Sequence, residues 1–100
     1  MTSEYRQEKR IEKELIRAVR AAGGLCPKFI SPGMNGVPDR IILLPGGRIA
    51  FAELKAPGER PRHLQEVRIA QFCRLGFPVF VIDGVEQIPD TLKQIGGDAR

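Results

Sequence analysis

Asp39 and the run Glu53-Leu54-Lys55 place two carboxylates and one ammonium at the ends of two strand-like segments, Arg40–Leu44 and Arg48–Leu54. Side chains alternate along a strand, so Glu53 and Lys55 share a face. Whether Asp39 joins them depends on the turn between the segments. A three-residue loop, Pro45-Gly46-Gly47, pairs Leu44 with Arg48 and therefore Asp39 with Glu53. A two-residue Gly46-Gly47 turn would pair Asp39 with Leu54, send the carboxylates to opposite faces, and put Pro45 in the ladder with no N–H to give. The sequence therefore predicts the three-residue loop or a compensating bulge. Two facing carboxylates repel, a cost that a divalent cation removes. Magnesium suits such oxygen donors, with the Leu54 backbone carbonyl as a third ligand and water and a phosphate completing the shell. Lys55, one pleat beyond Glu53, is placed to orient or deprotonate an attacking water and to steady charge on a phosphoryl centre. The competing reading is a solvated Glu/Lys pair on an edge strand.

Further polar groups are expected around that hairpin end. Ser3 to Ala22 contains neither Gly nor Pro, and Ile11, Leu15, Ala18, Val19 and Ala22 recur at helical spacing before Gly23-Gly24. On a wheel, Arg6, Lys9, Arg10, Lys13, Arg17 and Arg20 fall within about a 100° arc, while Glu8 and Glu12 lie among Leu15, Ile16 and Val19. A one-sign arc points to phosphate contacts, because a merely solvated face gains from mixed signs. An inward carboxylate needs a partner or a metal, which singles out Glu12 and, after it, Glu8; a buried salt bridge is the competing reading. Gln65, between Ile69 and Phe72 on the inward side of a second helix, is a buried amide that wants a partner, either Lys55 and its neighbours or a loop carbonyl. His63 at that helix's start reads as a surface or phosphate-contacting residue.

The elements that must carry these groups follow from periodicity and turn residues. After the first helix come a short extended piece at Lys28–Ile30, a loop through Ser31–Gly36, the hairpin, a helix from Pro61 to about Leu75 closed by Gly76, a strand at Val79–Ile82 and a weaker helix over Val85–Ile95. Pro89 is compatible only with that last helix's first turn. The order αβββαβα implies an α/β (α+β) fold, a central mixed sheet flanked by helices with one βαβ crossover. One hundred residues form a single domain, 1–100. A net charge of +4 and a pI near 9.5 favour a polyanionic partner. Cys26 and Cys73, far apart and accompanied by one histidine, argue against a Cys/His zinc site and read as reduced thiols of a cytoplasmic protein. No apolar run approaches the roughly 20 residues of a membrane helix, so no membrane partner is expected.

Gly36-Val37-Pro38-Asp39-Arg40, Ala52-Glu53-Leu54-Lys55-Ala56-Pro57-Gly58 and Leu64-Gln65 together resemble a stand-alone VRR-NUC domain of the PD-(D/E)XK nuclease superfamily. The resemblance extends to Ile11-Glu12, Gly23-Gly24, Lys28-Phe29 and Val79–Ile82. It implies a restriction-endonuclease-like core, Asp39 and Glu53 as ligands of Mg2+ or Mn2+, Lys55 as catalytic lysine, Glu12 as the helix-borne acid and Gln65 as an active-site partner. It further implies a phage-type homodimer that cuts branched DNA such as four-way (Holliday) junctions. The expected DNA contacts are Lys9, Arg10, Lys13, Arg17, Arg20, Lys28 and Arg40. With no separate reading element, recognition by backbone and shape is expected. The alternative is a DNA-binding module on the same fold that does not cut.

Overall fold

In a computed structural model that describes residues 3–96, the amphipathic N-terminal pattern forms helix α1 (Ser3–Ala21). The hairpin is β1 (Arg40–Leu44) and β2 (Arg48–Leu54), followed by α2 (His63–Arg74), β3 (Val79–Ile82), a 3-10 turn (Val85–Gln87) and α3 (Ile88–Gly96). Pro89 is the second residue of α3, where its missing N–H costs no helical bond.

Strand β2 is central, antiparallel to β1 and parallel to β3, so the sheet is mixed and α2 lies in the β2–β3 crossover. Leu44 pairs with Arg48 and Arg40 with Ala52. The three-residue loop is thus the one formed, with Gly46 and Gly47 both at positive φ.

The expected strand at Lys28–Ile30 is a correction: that segment makes one isolated bridge, Lys28 with Arg40, and a second, Leu25 with Leu43, lies just before it. Pro27 is the cause. Its carbonyl accepts from the Ile41 N–H, but it has no N–H to return, so the ladder is interrupted between the Leu25–Leu43 and Phe29–Asp39 bonds. Three strands plus a bridged segment replace the four expected.

The two sheet faces differ in what covers them. Ile42, Leu44, Ala50, Ala52, Leu54 and Ile82 pack with Ile11, Leu15 and Val19 of α1 and with Ile88 and Ile95 of α3 in one buried cluster. On the opposite face Phe51 meets Phe72 of α2 edge to face at 4.9 Å, with Phe29 and Phe77 alongside. No residue of α2 is fully buried. Among the described residues no helix is long and apolar enough to cross a membrane.

Gly36 sets the approach of the loop that delivers Asp39. Its φ is +81°, and a Cβ there would come within 2.9 Å of the Leu64 side chain on α2. Arg68 of α2 ties the same turn by donating to the Asn35 carbonyl at 2.7 Å. Gly36→Ala should therefore lose about 2 kcal/mol of stability, from left-handed backbone strain plus crowding, as read from the midpoint of urea denaturation.

Candidate active site

Asp39, Glu53, Leu54 and Lys55 meet where β1 and β2 end. The register that pairs Arg40 with Ala52 brings Asp39 opposite Glu53 and Pro38 opposite Leu54. Pro38 has no N–H, so the Leu54 carbonyl receives no ladder donor from it, and the Leu54 N–H donates to Asp39 Oδ2 at 2.8 Å. The ladder's last rung is thus a side chain. It fixes the Asp39 carboxylate and leaves a backbone oxygen at the site.

Glu53 is 1% exposed. Its Oε2 accepts from Gln65 Nε2 at 2.7 Å and lies 3.3 Å from Lys55 Nζ, while Oε1 is buried with no hydrogen-bond partner. Burial, reinforced by repulsion from Asp39 and only partly offset by Lys55, pushes the Glu53 carboxyl up to about 7. Gln65 also accepts from Lys55 Nζ at 3.0 Å through its Oε1 and from the Arg62 N–H at 2.8 Å. One amide therefore fixes the acid, the lysine and the start of α2. The inward Gln65 expected from helical spacing stands beside the residues it was expected to serve.

Glu8 and Glu12 separate. Glu12 has both oxygens engaged, Oε1 by Lys9 at 3.1 Å and Oε2 by Arg40 Nε and Nη2 at 3.2 and 3.1 Å. Burial opposes its charge, yet the Lys9 and Arg40 hydrogen bonds outweigh it and hold the carboxyl below the ordinary range. Glu8 is raised by burial and next by Asp39, with Lys55 pulling the other way, so it is the helix acid within electrostatic reach of the hairpin end.

Arg40 follows Asp39 and so points to the other face, toward α1, where its Nη1 also donates to the Cys26 carbonyl at 2.8 Å. Its guanidinium, 15% exposed, joins α1 to β1. It was expected among the DNA contacts; the same alternation that set Glu53 beside Lys55 marks it as inward. The α1 basic arc carries ion pairs as well, Lys9 with Glu12 and Arg17 with Glu14, the latter bidentate at 3.0 and 2.6 Å. Its charges are less segregated than the wheel implied, because Glu14 lies within reach of the arc's edge. Arg10, Lys13, Arg20 and Lys28 are exposed. A groove of about 580 Å³ runs along this face, lined by Arg6, Lys9, Arg10, Lys13 and Arg17 together with Tyr5, Glu14 and Val85.

The donor set fits a hard divalent cation: the carboxylates of Asp39 and Glu53, the latter with one buried oxygen that has no partner, and the Leu54 backbone carbonyl. Among the described residues no three acidic, histidine or cysteine side chains converge into a closed cage.

The solved structure of a "VRR_NUC domain" is similar to this chain, with a TM-score of 0.80, 32% identity, and coverage of 88% of this chain and 95% of that one. A protein of Acyrthosiphon pisum secondary endosymbiont phage 1, bearing the name "Putative nuclease p44", is 49% identical over 77 residues, which span 77% of this chain and 83% of that protein. The chain belongs to the VRR-NUC family. No family model matches it. As a VRR-NUC nuclease domain its fold implies a divalent metal cofactor and DNA as substrate.

The Glu53 environment has a measurable cost. Below pH 4.5 the carboxyl is neutral in folded and unfolded chains alike; as pH rises to about 7 only the unfolded chain ionises freely, so stability falls across that window. The accumulated loss is on the order of 3 kcal/mol. Without metal, Glu53→Gln should become more stable than the wild type as pH rises from 4.5 to 7, with a constant difference above. Adding Mn2+ at pH 8 should raise the wild-type melting temperature and leave the variant's unmoved. Parallel pH profiles for the two proteins would refute the assignment.

Proposed function

We propose that the chain is an endodeoxyribonuclease hydrolysing phosphodiester bonds with Mg2+ or Mn2+ held by Asp39, Glu53 and the Leu54 carbonyl. The observation that carries this reading is the buried Glu53 carboxylate, bonded through one oxygen to Lys55 and Gln65 and left without a partner on the other. The cation, when bound, supplies Lewis-acid polarisation of the phosphoryl group and a water of lowered pKa.

The chain's own groups do the rest. Asp39 is held in place by the Leu54 N–H, and Glu53 by Gln65, so the two carboxylates stand ready in spite of their repulsion. Lys55 Nζ, fixed by Gln65 and Glu53, provides a preorganised positive charge where the attacked phosphate gains negative charge, and it orients the attacking water. Glu8 adds acidic charge from α1. Glu12, the helix acid implied by the resemblance, lies one turn farther along, and its bond to Arg40 holds α1 against the strand that carries Asp39.

For the substrate we propose branched DNA, four-way junctions included, bound by a homodimer. The resemblance to phage-type members supports this, and two-fold-related sites nick opposed strands symmetrically. Leu64 and Val67 on α2, with Leu75 and Phe77 beyond it, are exposed apolar groups available to a second copy. Lys9, Arg10, Lys13, Arg17, Arg20 and Lys28 supply the phosphate contacts, and Arg40 acts internally.

Labelled duplex, single-stranded, flap and four-way-junction DNA, each with Mg2+, Mn2+ or EDTA, tests the reading. Metal-dependent cutting should be lost in Asp39→Ala and Lys55→Ala, by a factor on the order of 10³, while Lys55→Ala still binds DNA. Junctions should be cut fastest, and light scattering should give the mass of two chains. Binding without cutting under every metal would favour the non-catalytic module. Reversing Arg10, Arg17 and Arg20 to Glu should weaken binding to all DNAs alike, as followed by fluorescence anisotropy; unchanged affinity would return that face to solvation.

A further inference from the structure

Resting on the nuclease reading above, we propose that the loop from Ala56 to Arg62 grips the substrate strand beside the phosphate being cut, with Arg60 and Arg62 as its phosphate-holding residues. The loop is the direct link between Lys55 and α2. Pro57 through Arg60, and Arg62, are exposed, yet the backbone is tied at three points. The Glu59 N–H donates to the Ala56 carbonyl at 2.9 Å, the Gly58 N–H to Asp83 Oδ2 at 3.1 Å, and the Arg62 N–H to Gln65 Oε1 at 2.8 Å.

The last tie fixes where Arg62 stands. Gln65 Oε1 also accepts from Lys55 Nζ at 3.0 Å, so the Arg62 nitrogen and the Lys55 ammonium lie no farther apart than 2.8 plus 3.0, or 5.8 Å. Arg62 therefore projects from the rim of the site itself. Its charge is uncommitted: the ion pairs among the described residues join Lys9 to Glu12, Arg17 to Glu14, Arg40 to Glu12 and Lys55 to Glu53, and include neither Arg60 nor Arg62.

Position separates the loop from the α1 cations: it runs directly from Lys55 into α2, and its guanidiniums, like those of Arg10 and Arg20 on α1, keep their donors for a ligand. Guanidinium binds phosphate through two parallel hydrogen bonds. The first-turn amides of α2 add positive charge at the same place, and Glu59 is the one acid within the loop. A loop already tied down loses little freedom on binding, so its contacts go into affinity. Asp83 acts here as a positioning residue, through Gly58.

The test compares Arg60→Gln/Arg62→Gln with wild type on whichever DNA the wild type cuts, with Lys93→Gln as a distant control. The double variant should raise KM at least tenfold with kcat within about twofold. In an Asp39→Ala background, the slope of log affinity against log salt should flatten by about 0.9 for each lost phosphate contact, so by nearly two. Asp83→Ala should raise KM in the same sense while its salt slope stays that of the parent, a separation that simple unfolding would not give. A double variant with wild-type KM and salt slope, beside a wild type that cuts, would overturn the loop's role and leave the nuclease reading intact. A wild type that binds no DNA with any metal would overturn both.

Discussion

The site is organised by a carboxylate placed where water cannot reach it. Glu53 lies on the central strand under α2, almost fully buried, with Asp39 opposite and one oxygen unbonded. In an ordinary core such an arrangement is selected against, because neither desolvation nor like-charge repulsion is repaid. Much of the surrounding structure acts to hold it. The Leu54 N–H fixes Asp39, Gln65 takes one Glu53 oxygen, and Lys55 lies close enough to offset part of the repulsion. The β1–β2 ladder ends beside these carboxylates because Pro38 leaves a gap that the Asp39 side chain fills.

Helix α1 is held to this arrangement from the other face. Leu15 and Val19 bury its apolar stripe, and the Glu12–Arg40 pair anchors its polar flank to the residue next to Asp39. A guanidinium that also bonds the Cys26 carbonyl defines a geometry that lysine could not reproduce. Rotation of α1 is thereby restricted, and Glu8, one turn earlier, is kept toward the hairpin end.

Much of this was legible in the sequence, for identifiable reasons. Proline's missing N–H decides the hairpin register from sequence alone, and period-two alternation puts Glu53 and Lys55 together. Helical spacing turned Gln65 inward. Charge alone groups Arg40 with the phosphate contacts, whereas strand parity sets it on the face of Ile42 and Leu44, where Glu12 and the Cys26 carbonyl engage it. Glu8 and Glu12 could not be separated from a wheel, since only a residue distant in sequence distinguishes them. Pro27 interrupts an extended segment by removing a single donor, an effect that local propensity does not register. Arg62-x-x-Gln65 carried a usable hint: a Gln at the third helical position commonly reaches back to the N–H before the helix.

That same Gln65 carbonyl makes two ordinarily separate events one. The bond that caps the start of α2 and the bond that steadies Lys55 end on a single oxygen, so fraying of the helix's first turn and loosening of the lysine draw on the same side chain. Helix ends are where native proteins open most readily. The amide proton of Arg62 is thus a built-in reporter: its rate of exchange with solvent reads the opening of the oxygen that also holds Lys55.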